Sequence, residues 1–281
     1  MKLIHTLLFL LRPERNAEDI KLAETNLKSL EKSSSKTLVV YNQGPLSKEE
    51  LTAFLSQFNL DSIVIGDSVN VGISEGRQRC FQYIWDNYPD NEYISEIHMD
   101  MIFTYHWEDA MVEYLKDNMN EPAVSAGIID KNGMLAFLDE AAHNLPNDCS
   151  EYDSFLSGLQ KDMIVHGFTH PCIHKSDVIK EIGGYNTHFL KGRQCFEDDS
   201  LLLGYYYYYG TKADWHPKVN YNTVVYHAVA FQRLDLKDSI LVNLNGLVSQ
   251  YGAMGLKSLS HLHKSEWHKK YFERKYNEIF K

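Results

Sequence analysis

Basic residues are in short supply: 28 Lys and Arg against 38 Asp and Glu give 281 residues a formal net charge of −10. A surface of that sign repels a phosphate backbone, which excludes nucleic acid as the main partner. Cysteine is scarce too. Cys80, Cys149, Cys172 and Cys195 show no C-x-x-C spacing, which excludes a zinc ribbon or a thiol redox pair. Few, scattered thiols fit a reducing compartment, and the cytoplasm is the expected location. Long apolar runs are missing as well. The N-terminal stretch from Leu3 to Leu11 falls well short of the ~20 residues a membrane helix needs, and Arg12-Pro13-Glu14-Arg15 offers no small-residue cleavage site. It reads as a buried parallel strand.

What is present is an alternation of strand and helix patterns, with 44% hydrophobic residues to build a sizeable core. A polar helix from about Ala17 to Lys32 ends at the serine run Ser33-Ser34-Ser35. Thr37 to Tyr41 is a second strand, closed by the turn Asn42-Gln43-Gly44-Pro45. Ser47 with Glu50 three residues on is a capping box opening a short helix. Ser62 to Ile65 is a third strand, a helix spans about Ser74 to Trp85, and Glu92 to Asp100 is a fourth strand. Three β-α-β passes specify an open, doubly wound, mostly parallel sheet with flanking helices. Ligands of such sheets sit beyond the carboxyl ends of the strands, where Arg12, Asn42, Asp67 and Asp100 fall.

The densest chemistry lies in Phe196-Glu197-Asp198-Asp199-Ser200, followed by Leu201-Leu202-Leu203. Carboxylates opening an apolar helix meet free N–H groups and a helix dipole that favour the ionised form. Capping of the helix by Asp198 or Asp199 accounts for the pattern structurally. A poised carboxylate, paired with Asp100 at a strand end, equally supplies the means to deprotonate a hydroxyl beside a divalent metal.

In order and spacing, these elements resemble the inverting family 2 glycosyltransferases of GT-A fold, over roughly Leu3 to His227. Asn70-Val71-Gly72 looks like that family's Asn-x-Gly loop, followed by a helix carrying Arg77. Ile97-His98-Met99-Asp100 takes the place of the Asp-x-Asp motif. Ile182-Gly183-Gly184-Tyr185 resembles the Gly-Gly-aromatic turn, Phe196-Glu197-Asp198 the Glu-Asp motif, and Gly210 and Val224-Val225-Tyr226-His227 follow in order.

The resemblance implies transfer of a hexose from a nucleotide-sugar, a UDP-sugar for preference, to a hydroxyl of a glycan, lipid-linked or protein acceptor, with inversion. It implies Asp198 as base, with Glu197 bonding acceptor or donor hydroxyls. Manganese or magnesium would be held by Asp100 and His227, and the donor by Arg12, Asn42, Asp67, Asn70, Gly72, Arg77, His98, Met99 and Asp100. Here His98 stands where the family has its first Asp. It can ligate the metal, touch ribose or phosphate, or simply fill space, and its presence motivates the alternative of a nucleotide-sugar or carbohydrate binder that has lost turnover. No Gln-x-x-Arg-Trp run follows Asp198, which argues against a processive synthase.

Other features read as structural. The five tyrosines Tyr205 to Tyr209 spread around a helix. His166, His170 and His174 have helical spacing, but Gly167 and Pro171 place them on a strand or loop, which suits acceptor-side lining or plain structure better than a zinc site. The division expected is a catalytic domain over 1–230 and a helical segment over 231–281. Phe231 to Tyr251 reads as helical, with Leu234 and Leu236 on its apolar face. Its tail, from Lys257, interleaves Lys and His with Trp267, Tyr271, Phe272 and Phe280. Such a tail suits packing on the catalytic domain or on a second copy in a homodimer, or else peripheral contact with an anionic membrane surface or with the acceptor.

Overall fold

The computed structural model describes residues 2–209, 215–228 and 237–281. Gly210, Leu234, Leu236 and the expected boundary at 230/231 lie outside the described residues. The strands are β1 (Leu3–Phe9), β2 (Thr37–Asn42), β3 (Asp61–Ile65), β4 (Tyr93–Ile97), β5 (Met101–Ile102), β6 (Ala123–Ile129), β7 (Ile164–His166), β8 (Cys172–Lys175) and β9 (Lys218–His227). The helices are α1 (Asn16–Leu30), α2 (Lys48–Leu55), α3 (Ile73–Asn87), α4 (Asp109–Asp117), α5 (Tyr152–Gly158), α6 (Ser176–Glu181), α7 (Glu197–Tyr208), α8 (Lys237–Leu262) and α9 (Glu266–Ile279).

All the strands join one sheet in the order β3-β2-β1-β4-β8-β6-β9-β5, with β7 also on β9. The α/β class and the parallel run β3-β2-β1-β4 are as the sequence implies. Beyond β4 the sheet is mixed: β8 is antiparallel to both β4 and β6, β6 and β9 are parallel, and β5 and β7 are antiparallel to β9.

Side chains alternate across the sheet, so each strand feeds two cores. Leu3, Leu7 and Phe9 of β1 and Leu38 and Val40 of β2 pack with Leu27, Leu51 and Met111 of α1, α2 and α4. Ile4, Val39 and Tyr41 face the other way, onto Phe81 and Ile84 of α3. The same second core takes Leu202 of α7, Leu244, Leu256 and Leu259 of α8 and Phe272 of α9, so the C-terminal helices pack into the same core as α3 and α7. Burying such a side chain contributes about 1.5–3 kcal/mol. A third cluster joins Tyr152 and Leu156 of α5 to Tyr221 and Val224 of β9. Among the described residues, no helix is long and apolar enough to cross a membrane.

Several local expectations match closely. Ser47 and Glu50 form a reciprocal capping box on α2. The tyrosine run continues α7, with Tyr205 buried and Tyr207 and Tyr208 exposed. Two expectations need correcting. β4 stops at Ile97 rather than running to Asp100, because His98-Met99-Asp100 turns back into β5. Buried Asn26 of α1 donates to the carbonyls of His98 (2.9 Å) and Met101 (3.1 Å) and so holds that turn. The cap of α7 is also different: Phe196, in the left-handed region at φ 64°, is its N-cap, and no side chain caps it. Asp198 and Asp199 lie inside the first turn.

Candidate active site

A cleft of about 730 Å³ opens beyond the carboxyl ends of β1 and β4. Leu8, Leu10, Gln43, Asn70 and Gly72 line it from β1, from the segment after β2 and from the loop before α3. Gln43 shapes that loop, accepting from Val71 N (2.8 Å) and donating to the Gly72 carbonyl (3.2 Å). Gly72 has φ 89°, and a Cβ there would lie 2.8 Å from Arg193 Cα, so only glycine fits.

The register of the short strand β5 assembles the centre of the cleft. Met101 pairs with His227 across the antiparallel ladder, and Ala228 N donates to the Asp100 carbonyl at 3.0 Å. His227 Nε2 then stands 3.4 Å from Asp100 Oδ1 and 3.4 Å from His98 Nδ1. One ligand atom from each of His98, Asp100 and His227 lies within 4.8 Å of the other two. A carboxylate and two imidazoles so grouped match the donor set of a divalent first-row cation such as manganese. Burial, then the neighbouring His170 and His227, push His98 well below the usual imidazole range, which keeps it neutral as a ligand must be.

His170 links this centre to the acidic helix. Its ring stacks on His98 at 4.6 Å, and its Nε2 lies 4.0 Å from Asp198 Oδ1 and 4.0 Å from Glu96 Oε1. Burial lowers its pKa to about 3 against the opposing pull of Glu96, so it too is neutral. Beneath it, Glu96 of β4 anchors a buried network. Its carboxylate meets Arg77 Nε at 3.0 Å, His174 Nε2 at 2.9 Å and the Tyr185 hydroxyl at 2.9 Å. Burial alone would raise Glu96, but the His174 hydrogen bond and the Arg77 charge outweigh it and leave the pKa at about 2. Arg77 also donates to the carbonyls of Thr6 (2.7 Å) and Ile97 (2.6 Å) and so braces β1 against β4.

Glu197, Asp198 and Asp199 differ sharply from one another. Asp199 accepts from His263 Nε2 at 2.6 Å, which ties α7 to the α8–α9 junction. Glu197 is buried, with Oε2 unpartnered. Asp198 faces the cleft, its side chain 46% exposed. Burial first, then the charge of Asp198, raises Glu197 well above the usual range. Asp198 meets solvent in the cleft, yet the enclosing protein and the charges of Asp199 and Glu96 push it up as well. The helix dipole was expected to favour their ionised forms. That effect, about 0.3–1 kcal/mol, is outweighed where three carboxylates crowd one turn above Glu96.

Of the residues named from the sequence, Asn70, Gly72, Arg77, His98, Met99, Asp100, Glu197, Asp198 and His227 line the cleft together. Arg12, Asn42 and Asp67 sit at strand ends but outside its lining. Arg12 grips Asp19, with N–H···O distances of 2.6 to 3.0 Å. Asn42 spans Gly44 N, the Leu46 carbonyl and Ser68 Oγ.

Glu96 and Arg193 were not anticipated as parts of the site, whereas His170, Trp267 and Tyr271 belong to stretches for which acceptor contact was one of the readings. Glu96 carried a legible signal, a carboxylate inside the apolar strand Tyr93-Ile94-Ser95-Glu96-Ile97. The others reach the cleft only through tertiary packing. The three histidines of the 166–174 stretch part company: His166 bonds the Leu262 carbonyl, His170 enters the cleft and His174 supports Glu96.

No protein-family model matches the chain. No curated protein matches it either. Solved structures do. Staphylococcus aureus TarS 1-349 superposes with a TM-score of 0.52 at 11% identity, covering 93% of this chain and 80% of that one. The same fragment in complex with UDP gives 0.57 at 11% identity, and in complex with UDP-GlcNAc 0.56 at 10%, each covering 93% of this chain and 70% of the other. At these identities the likeness establishes the fold, α/β of the GT-A type implied by the sequence resemblance.

Proposed function

We propose that this chain is a metal-dependent, inverting glycosyltransferase that moves a hexose from a UDP-sugar to an acceptor hydroxyl. The observation that carries the reading is the continuous line from Asp198 through His170 and His98 to His227 and Asp100, which joins a base to a candidate cation centre inside one cleft. The fold shared with TarS, whose structures include UDP and UDP-GlcNAc complexes, supports a nucleotide-sugar donor.

His98, Asp100 and His227 would hold manganese or magnesium, which when bound neutralises charge on a leaving diphosphate. Asn70, the Gly72 loop and Arg193 border the part of the cleft suited to the donor. Asp198 accepts the proton of the acceptor hydroxyl as that oxygen attacks the anomeric carbon from the face opposite the diphosphate. The new C–O bond forms as the sugar–phosphate C–O bond breaks, and UDP departs with the electron pair. An Asp with a raised pKa is a stronger base for this task than an ordinary carboxylate. Glu197, behind it and held protonated, has a proton to donate to a substrate oxygen. Arg77 acts indirectly, by fixing Glu96 and the ends of β1 and β4.

The test is UDP release from UDP-GlcNAc and related UDP-sugars, with manganese and with a chelator. Manganese-dependent release supports the transferase. Donor binding with no release under any condition overturns it in favour of a binding protein.

A further inference from the structure

The rim of the cleft beside the acidic turn is aromatic, and its outer ring is largely open to solvent. Trp267 is 67% exposed, whereas Trp85, Trp107 and Trp215 are all below 10%. It lies four residues before Tyr271 on α9, and the two rings are near-parallel, 14° apart with centroids at 5.4 Å. Tyr271 in turn stacks on Phe196 at 22° and 6.3 Å. Phe196 is the residue immediately before Glu197 and Asp198, and both it and Cys195 adopt positive φ, 64° and 87°. Left-handed backbone at two consecutive non-glycine residues costs on the order of 1–3 kcal/mol each, a cost the surrounding packing must offset. Three rings therefore form a ladder from solvent to the proposed base, and all three line the same cleft.

We infer that the Trp267–Tyr271–Phe196 ladder is the acceptor platform, and that the acceptor is a glycan, an inner sugar of which lays an apolar C–H face on Trp267 while its terminal sugar reaches Asp198. This rests on the transferase reading and narrows it. Flat, exposed rings suit a sugar, which offers C–H groups on one face and hydroxyls at its edge. Charge points the same way. Glu197, Asp198 and Asp199 crowd the turn next to the ladder, an arrangement that disfavours a phosphate-bearing acceptor. The cations of α9 are largely matched within the helix, Lys269 to Glu266 at 2.9 Å and Lys275 to Glu278 at 2.8 Å. They offer little to an anionic lipid surface.

Two measurements test the inference. Binding of the neutral saccharides maltotriose, cellotriose and chitotriose is measured by calorimetry, and transfer to the same probes is followed with UDP-GlcNAc and manganese. At least one saccharide should bind saturably. Trp267→Ala should raise the acceptor KM or saccharide Kd about tenfold or more, and Trp267→Phe should restore most of the loss. Thermal unfolding confirms that each variant is folded. Saccharide binding that ignores Trp267→Ala overturns the platform, as does a wild-type chain that releases UDP yet shows no response to any saccharide. A concentration-dependent dimer that Trp267→Ala dissociates also overturns it, by assigning the ring to a second copy. Saccharide binding through Trp267 with no UDP release under any condition leaves the platform standing and sinks the transferase reading instead.

Discussion

His98 Nδ1 and His227 Nε2 face each other at 3.4 Å although 129 residues separate them in the chain. Two ring nitrogens at that distance can share a single proton or a single cation. Asp100 Oδ1, 3.4 Å from the same His227 nitrogen, supplies the negative charge that favours a cation. His98 thus takes over the position of the carboxylate expected from the family resemblance without emptying the centre of donors.

Manganese should therefore bind the free protein, as read by loss of the free-ion paramagnetic resonance signal on titration. Asp100→Ala or His227→Ala should weaken that binding about 10-fold or more, since each removes one of three donors. Asp100→Ala should also reduce UDP affinity in calorimetry far more with manganese than with a chelator. Equal UDP affinity of the wild type in both conditions would remove the cation from the mechanism.

Asp198→Asn should lower turnover by on the order of 100-fold or more while keeping donor affinity, because an amide cannot take up the hydroxyl proton. The wild-type pH profile carries a second signature. Asp198, raised by burial and its carboxylate neighbours to about 7, must be ionised to act, so activity should rise with pH up to about 7 and then level off. His98 and His170, held well below their usual range, do not titrate there. An acidic limb near pH 4 would show that the cleft does not raise Asp198.

Glu197 links the same turn to stability. Its pKa is raised in the fold, by burial first and then by Asp198, from 4.5 to about 8. Between those values the unfolded chain releases a proton that the folded chain retains, so stability falls as pH rises and the loss is complete above about 8. Glu197→Gln escapes that loss. Its melting temperature relative to the wild type should climb from pH 4.5 toward pH 8. A difference independent of pH would show that Glu197 is ionised in the fold.

Asn243 of α8 holds the loop that leads to the carboxylates. It is fully buried, accepts from Gly192 N at 2.6 Å and donates to the Cys195 carbonyl at 2.8 Å. Asn243→Ala leaves these backbone groups unpaired and should cost about 1–3 kcal/mol in a urea melt. It should also depress turnover more than donor binding, since the loop sets Phe196 and Asp198. Wild-type turnover in this variant would show that the loop holds its shape without the amide.

Local rules made much of the molecule legible. Apolar runs in Leu3–Phe9 and Thr37–Asn42 marked the parallel strands, Ser47 and Glu50 the start of α2, and the Asn70–Gly72 turn the entry to α3. Each depends on neighbours within a few residues, where periodicity and capping act. Asp100, Asp198 and His227 could be named because their residue types and chain order carry a resemblance to a family.

Tertiary structure alone decided how these pieces meet. The antiparallel insertion of β8 between β4 and β6, and the pairing of Met101 with His227, are long-range registers that no local pattern encodes. Burial likewise reversed the expected charge preference of Glu197 and Asp198, because desolvation and like-charge crowding depend on what packs around a helix end, while the dipole belongs to the helix itself. Nothing local fixed where His170 and Trp267 would lie. They join the cleft because β8 places its preceding loop beside β4 and because α9 packs on α8 and sets its rings against Phe196 at the start of α7, both driven by apolar surface buried between elements far apart in the chain.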